Sequence, residues 1–284
     1  AVSSDKKAAV VGGGPAGLAA AFFLAKGGMK VTVFEKEEKM GGVVRNVIPG
    51  FRIPDSAIDN DVEIVKAMGA ELVTGKEIQS VDELKKDYDY VVLALGASEP
   101  GVLKLEVGEP VNALEFLAQF KATDGKVDLG KNVVVIGGGN TALQDAAFLA
   151  NYCNKVYLVH RRDEFRGEAG LVEMLRKRDN VEFVLSAVPK AIVGEHMVTG
   201  LILTNQKTKE DFQLDVNGIF VAIGHAPKNE LFAELAELDE AGFIKAGEDC
   251  LTKTPGVFAA GDCRTKEVRQ LTTAAADGAV AALA

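Results

Sequence analysis

Two glycine-rich loops recur in this chain about 125 residues apart, each set between an apolar run and an alanine-rich stretch. The first is Gly12-Gly13-Gly14-Pro15-Ala16-Gly17, after Ala8 to Val11. The second is Gly137-Gly138-Gly139-Asn140-Thr141-Ala142, after Val133 to Ile136. A buried run, a glycine turn and a helix open a parallel βαβ unit. The first glycine permits the turn, the second lets backbone approach a pyrophosphate, and the third lets helix and strand pack closely. Gly12, Gly14 and Gly17 fill those places, and Gly137, Gly139 and Ala142 fill them in the second loop. Helix N–H groups and the helix dipole then face phosphate. One such loop is also compatible with an ordinary tight turn; two point to a protein that holds two dinucleotides at once.

The pattern between the loops repeats. In the first unit a helix from about Pro15 to Lys26 ends at Gly27-Gly28, and Val31 to Phe34 is a strand closing on Glu35. After Met40-Gly41-Gly42 and the loop Ile48 to Pro54, Asp55 or Ser56 caps a helix reaching about Met68. Glu71 to Val73 is a short strand, Val81 to Lys85 a short helix, and Tyr90 to Leu95 a buried strand closing on Gly96. A connector with Pro100, Gly101, Gly108 and Pro110 leads to an amphipathic helix, Ala113 to Lys121, capped by Asn112. The second unit then runs strand 133–136, helix 140–151, strand 155–159 and helix 168–178. The segments 181–185, 189–193, 197–204 and 211–215 read as an antiparallel meander. Gly218 to Ile223 ends at Gly224 as the earlier strand ended at Gly96. Val257 to Ala260 is a last strand, followed by Gly261-Asp262 and a helix from about Gln270. This internal duplication organises the chain. It implies domains at 1–108, 109–242 and 243–284, with crossings near 105–111 and 240–245 that can serve as hinges.

The two units differ where their second strands end. Glu35 stands about twenty residues after the first glycines, where an acid binds ribose hydroxyls. Its alternative is a solvated strand-end charge among Lys36, Glu37, Glu38 and Lys39. The second unit has His160, Arg161 and Arg162 there, with Arg166 beyond. Guanidinium groups suit a 2′-phosphate through charge-assisted bidentate bonds, which selects NADPH over NADH. The alternative is a surface basic patch that pairs Asp163, Glu164 and Glu168.

Bulk properties narrow the class. The 284 residues suffice for two domains, and 48% hydrophobic with 26% charged residues is ordinary for a soluble globular protein. A net charge of −9 without a long basic run argues against nucleic acid as the main partner. Cys153, Cys250 and Cys263 are too widely spaced for a disulfide framework or a zinc site, so no metal is expected and a reducing, cytoplasmic setting fits. Lys6-Lys7 before an apolar run mimics a secretory signal, but Gly12 to Pro15 interrupt it. The apolar stretch Ala16 to Ala25 is shorter than the ~20 residues a bilayer span needs.

From Gly137 onward the chain resembles low-molecular-weight thioredoxin reductases, within the two-lobed FAD/NAD(P)H flavoproteins. The resemblance rests on Gly137 to Ala142, His160-Arg161-Arg162 to Phe165-Arg166, Ala222 to Pro227, Ala259-Ala260-Gly261-Asp262, and Arg269 to Ala274. The first half is similar instead to glutamate-synthase small subunits and selenate-reductase-type relatives, through Gly41 to Arg45, Ile48 to Ile53 and Asn112 to Leu117. The N-terminal iron–sulfur region usual in those relatives is not expected here. The split invites the idea of a natural recombinant or an engineered fusion.

The resemblance implies an α/β fold of two Rossmann-like (FAD/NAD(P)-binding) three-layer domains, the second inserted in the first. FAD would lie on Gly12, Gly14, Pro15, Ala16, Gly17, Glu35, Lys36, Gly42, Val43, Arg45, Ala94, Gly96, Gly261 and Asp262, with Asp262 on the ribityl chain and Gln270, Leu271 and Thr272 at the isoalloxazine. NADPH would lie on Gly137, Gly139, Asn140, Thr141, Ala142, His160, Arg161, Arg162, Arg166, Ile223 and Gly224. Hydride passes from nicotinamide to flavin by positioning, with no catalytic acid, base or nucleophile. Thioredoxin reductases carry a C-x-x-C just before the second nucleotide strand; here Phe120 to Lys131 contains no cysteine. Electrons are therefore expected to reach an external acceptor: an iron–sulfur protein, a quinone, a small oxidant or dioxygen. A homodimer is the expected assembly. The alternatives are a thioredoxin-reductase relative without disulfide reductase activity, and an idle or engineered dinucleotide-binding scaffold. Cys263, beside Gly261-Asp262, reads as a packing residue, with a redox role as its alternative.

Overall fold

The computed structural model describes residues 5–50, 52–100, 103, 105–107, 113–123 and 131–284, with backbone alone at 100, 113–115 and 225. Phe51, Asn112, the 108/109 boundary and most of the 124–131 approach lie outside the described residues.

The chain opens with β1 (Lys7–Val11), α1 (Pro15–Lys26) and β2 (Lys30–Phe34). Proline at the first helical position costs α1 no hydrogen bond, because that N–H has no intrahelical partner. The helix stops where the Gly27 N–H closes on Phe23 O at 2.9 Å and Gly28 turns to φ +90°. A short α2 (Gly42–Asn46) forms where the sequence suggests only a loop. Then follow α3 (Asp55–Ala67), β3 (Glu71–Val73), α4 (Val81–Leu84) and β4 (Tyr90–Leu93).

Beyond a two-residue strand β5 (Glu99–Pro100) lie α5 (Ala113–Ala122), β6 (Asn132–Gly137), α6 (Asn140–Leu149), β7 (Lys155–Val159), α7 (Ala169–Arg176) and β8 (Val181–Val184). Next are β9 (Ala187–Val193), β10 (Gly200–Asn205), β11 (Asp211–Leu214), β12 (Gly218–Ala222) and β13 (His225–Ala226). The chain closes with β14 (Val257–Ala259) and α8 (Leu271–Leu283).

Two compact units result: Ala1–Glu99 with Ala226–Ala284, and Pro100–His225. The first holds a five-stranded sheet in the order β14-β4-β1-β2-β3, all parallel. The second holds a four-stranded parallel sheet, β12-β6-β7-β8, and a three-stranded antiparallel sheet, β11-β10-β9. Both parallel sheets thus share one strand sequence, third-second-first-fourth, which is the doubly wound arrangement. Strands β1 and β2 are buried at four of five positions, as a sheet covered on both faces requires.

Two boundaries differ from the sequence pattern. Residues 226–242 belong with the first unit, because Phe232 and Ala236 pack into its core beside Leu93 and Ile244. Residues 103–107 belong with the second: Leu103 joins its core, and the Glu106 N–H bonds Lys190 O at 2.9 Å. The meander is also shorter than its alternation suggests. Val181–Val184 runs parallel to β7 and extends the nucleotide sheet instead.

Candidate functional site

In the first unit the expected residues converge at the carboxyl ends of β1, β2, β4 and β14. A Cβ at Gly12, whose φ is +108°, would collide with Ala94 O. A Cβ at Gly17 would collide with Gly12 O, so only glycine allows α1 to sit this close to β1. Gly14 is different: a Cβ there would meet only Gly42 Cα, at 3.9 Å, leaving the turn open for a ligand. Gly96 (φ +70°) likewise faces open space. Val43 follows Gly42 in α2, whose start is held by the Gly41 N–H on Gly13 O at 2.8 Å. Pro15 and Ala16 supply the first turn of α1, and Gly261 packs against it; a Cβ on Gly261 would lie 2.8 Å from that of Ala16.

Glu35 is buried. Its Oε2 accepts the Gly13 N–H at 2.7 Å and its Oε1 accepts the Glu37 N–H at 2.9 Å. A carboxylate offers about four lone-pair sites, so the same group that secures the loop retains capacity for hydroxyls. The reading of Glu35 as a merely solvated charge does not survive this burial. Lys36 is exposed. Arg45 is committed to the protein: its Nε donates to Met40 O and its Nη2 to Asp59, with Asp55 3.6 Å away. It braces α2 against α3.

Asp262 carries an unanswered atom. Its Oδ1 is buried with no hydrogen-bond partner among the described residues. Burial pushes its carboxyl above the ordinary carboxylate range, against the opposing pull of Lys266 and Arg269. A buried acceptor without a donor is costly, and hydroxyl groups of a ligand would satisfy it. Gln270 caps α8 in a reciprocal box with Thr273, followed by exposed Leu271 and Thr272. Cys263 is fully buried and its thiol is pushed up to about 11 by desolvation. Cys250 is pushed up to about 11 in the same way, and Cys153 is raised. Such thiols are poor nucleophiles, which favours the packing reading of Cys263.

Sequence patterning overlooks Asp277, a lone acid in an alanine-rich helix. It is buried and accepts from Gly261 N–H, Arg264 and Lys266. Its one sequence signal is that no other residue of α8 is charged.

The second unit repeats the frame with other contacts. A Cβ at Gly137 would strike Ala222 O, and one at Gly139 would meet nothing within 4 Å. Ala142 is buried at the third position. Ile223 is 40% exposed, and Gly224 (φ +116°) faces open space. Gly138 O accepts the N–H groups of Arg166 (2.7 Å) and Gly167 (3.1 Å), which returns the basic segment to the loop. Asn140, next to Thr141 in the first turn of α6, exchanges two hydrogen bonds with Glu168: its Oδ1 accepts the Glu168 N–H at 2.7 Å, and its Nδ2 donates to Oε1 at 3.0 Å.

His160 packs its ring against Gly138 and stacks on Phe165, 5.6 Å between centroids. It is buried, and its Nε2 has no partner among the described residues. Desolvation first, then Arg166, Arg161 and Arg162, hold its pKa below the ordinary value, so the ring is neutral near pH 7. Two of the three acids that would quench the arginines are engaged elsewhere. Asp163 bonds Ser186 Oγ and pairs with Lys207 at 2.9 Å, and Glu168 holds Asn140. Arg161, Arg162 and Arg166 are exposed, with no ion pair among the described residues.

Among the described residues there is no group of acids, histidines and cysteines suited to a metal ion, and no helix long and apolar enough to cross a membrane.

Comparison with known proteins places this geometry. The family profile described as "Pyridine nucleotide-disulphide oxidoreductase" matches residues 6–278, across both glycine loops. A "34.2 kDa protein in rubredoxin operon" of Clostridium pasteurianum is 34% identical, over 96% of this chain and 94% of the relative. The thioredoxin reductase of Peptoclostridium acidaminophilum is also 34% identical, with the same two coverages, 96% and 94%. Among solved structures, T. acidophilum thioredoxin reductase superposes with a TM-score of 0.80 at 25% identity, over 98% of this chain and 97% of the other. The Lactococcus lactis enzyme superposes at 0.78 and 27% identity, with the same coverages of 98% and 97%.

Proposed function

Because the chain belongs to the pyridine nucleotide-disulphide oxidoreductase family, we propose that it is an NADPH-dependent flavoprotein oxidoreductase that passes electrons to an external acceptor. FAD and NADPH are its cofactors, FAD on the first unit and NADPH on the second. Bound together, they supply a two-electron hydride transfer from nicotinamide C4 to flavin N5.

The observation that carries the FAD assignment is the orphaned Oδ1 of Asp262, buried beside a glycine turn left open at Gly14. Around it, Glu35 orders the turn and keeps acceptor capacity for ribose hydroxyls. The open N-terminus of α1 directs N–H groups at the pyrophosphate. For NADPH, the support is Gly139, open on its Cβ side, together with Arg161, Arg162 and Arg166, whose neighbours Asp163 and Glu168 are taken up by other partners. Neutral His160 adds no charge there. The contribution of these side chains is binding and orientation; no acid or base is required.

The onward route bypasses a dithiol in this chain. The three cysteines are buried and lie far apart in sequence, and none is placed to exchange with a thioredoxin-like disulfide. A protein-borne iron centre is the favoured acceptor, and one relative comes from a rubredoxin operon. The second reading, a thioredoxin-reductase relative without disulfide reductase activity, shares every binding contact and differs only in the acceptor.

The test is an anaerobic titration followed by an acceptor screen. The purified protein is expected to be yellow, to bleach with NADPH faster than with NADH, and to recolour with an iron–sulfur protein, a quinone or dioxygen. It should not turn over thioredoxin or a small disulfide. A colourless folded protein that refuses FAD defeats the assignment. Yellow protein that never bleaches favours an idle scaffold, and disulfide turnover refutes the bypass.

A further inference from the structure

Asp277 lies outside both glycine loops, and none of the binding contacts above uses it. Its carboxylate receives four donors: Gly261 N–H at 3.0 Å, Arg264 Nε at 2.8 Å and Nη2 at 2.7 Å, and Lys266 Nζ at 2.9 Å. The three charged side chains are each about nine-tenths buried. Arg264 is held further by Ala246 O and Thr265 O, at 3.3 and 3.0 Å. The next residue, Gly278, touches the other side of the same site. A Cβ there would collide with Ala16 O and lie 2.9 Å from Ala20 N, so α8 crosses α1 at backbone contact. Residues 277 and 278 therefore join two parts of the dinucleotide cradle that are remote in sequence: the phosphate-facing first turn of α1 and the Gly261-Asp262 turn.

Stability alone does not account for such an arrangement. Desolvating three charges costs about as much as their attraction returns, and a packed apolar cluster serves a fold as well or better. What the ions provide is geometry. The Gly261 N–H, with φ +85° at that residue, is aimed at Asp277 Oδ2, and this sets the direction in which Asp262 leaves the turn. They also set the local charge. Arg264, Lys266 and Arg269 are positive and Asp277 and Asp262 negative, so the cluster carries one positive charge when all five are ionised, and loss of Asp277 raises it to two.

We propose that Asp277 is a positioning residue of the flavin site: it fixes the Asp262 turn against α1 and offsets the two cations beside it, and so sets both the affinity for FAD and the potential of the bound flavin. This inference rests on the FAD reading of the first unit.

The experiment compares wild type, Asp277→Asn, Lys266→Met and Ala281→Gly. Ala281 is buried in α8 but makes none of these hydrogen bonds; its glycine variant reports what simple weakening of the helix does. Each protein is stripped of flavin, titrated with FAD by fluorescence quenching and melted without cofactor. Each is then reloaded, and its flavin midpoint potential is measured with a reference dye. Asp277→Asn is expected to bind FAD about tenfold more weakly or worse and to shift the potential positive, because an uncompensated cation favours reduced flavin. Lys266→Met, which removes a cation and keeps the Gly261 anchor, should shift it negative. Ala281→Gly should lower the melting temperature while leaving affinity and potential at wild-type values.

The proposal is overturned if Asp277→Asn keeps wild-type affinity and potential, or if Ala281→Gly reproduces both changes. Should Asp277→Asn not fold, Lys266→Met decides alone, and an unmoved potential overturns the proposal. Wild-type protein that refuses FAD defeats the reading beneath it, and is seen before any variant is made.

Discussion

The two nucleotide loops share a strand–turn–helix plan, yet different chemistry secures them. In the first, the Glu35 carboxylate binds the Gly13 N–H from the end of β2. In the second, the equivalent place holds the neutral ring of His160 against Gly138, and the loop is secured by backbone bonds from Arg166 and Gly167 to Gly138 O. On the proposed reading, the device that holds a loop also selects its ligand. An acid at the strand end accepts ribose hydroxyls and repels a 2′-phosphate. A neutral ring flanked by exposed guanidinium groups does the reverse.

The largest expected effect comes from the third loop position, where the units tolerate different residues. Gly17→Ala drives a methyl into Gly12 O and should cost about 1–3 kcal/mol, with loss of retained FAD on gel filtration. Ala142→Gly, the reverse change, should cost only ~0.5–1 kcal/mol and leave NADPH binding intact. Equal losses in the two thermal melts would break the contrast.

Next in size is reversal of charge at Arg161 and Arg162. NADPH should bind about 10–100-fold more weakly, equivalent to one lost charged hydrogen bond of ~1.5–3 kcal/mol in total, while NADH is little changed. Selectivity that stays put in stopped-flow bleaching would remove the 2′-phosphate from this cluster.

The smallest effect is a pH dependence confined to the second loop. The pKa of His160 is lower in the folded protein than its ordinary value of 6.5, so the unfolded chain binds the extra proton first. His160 therefore favours the fold above pH ~6.5, and that contribution is lost as pH falls from there toward the folded pKa. His160→Gln should flatten the acid limb of denaturant midpoints; an unchanged slope would show that the ring does not stay neutral.

Much of this frame is legible in the chain. Glycine loops, buried strands and the contrast between Glu35 and His160 are local patterns, and local patterns survive folding. The residues that elude sequence patterning act at long range. Asp277 resembles a solvated helix charge until Gly261 and Arg264 are brought beside it from 13 to 16 residues away. Arg45, expected among the FAD-binding residues, also holds Asp59, a partner that no local pattern picks out. The crossing near 240–245 shifts because nothing local in Phe232 or Ala236 marks them as part of the first core, and only tertiary packing assigns them there. Val181 to Val184 alternates like a meander strand, yet its partner is parallel β7; alternation reports burial of one face and is silent about strand direction.

The first sheet takes β14 at its edge, and α8 against α1, from residues made more than half a chain after β4. During synthesis, the inserted unit has therefore emerged whole while the surrounding one still lacks its last strand and helix. On the ribosome the inserted unit can mature early, whereas the surrounding one, and with it the proposed flavin site, waits for the returning segment.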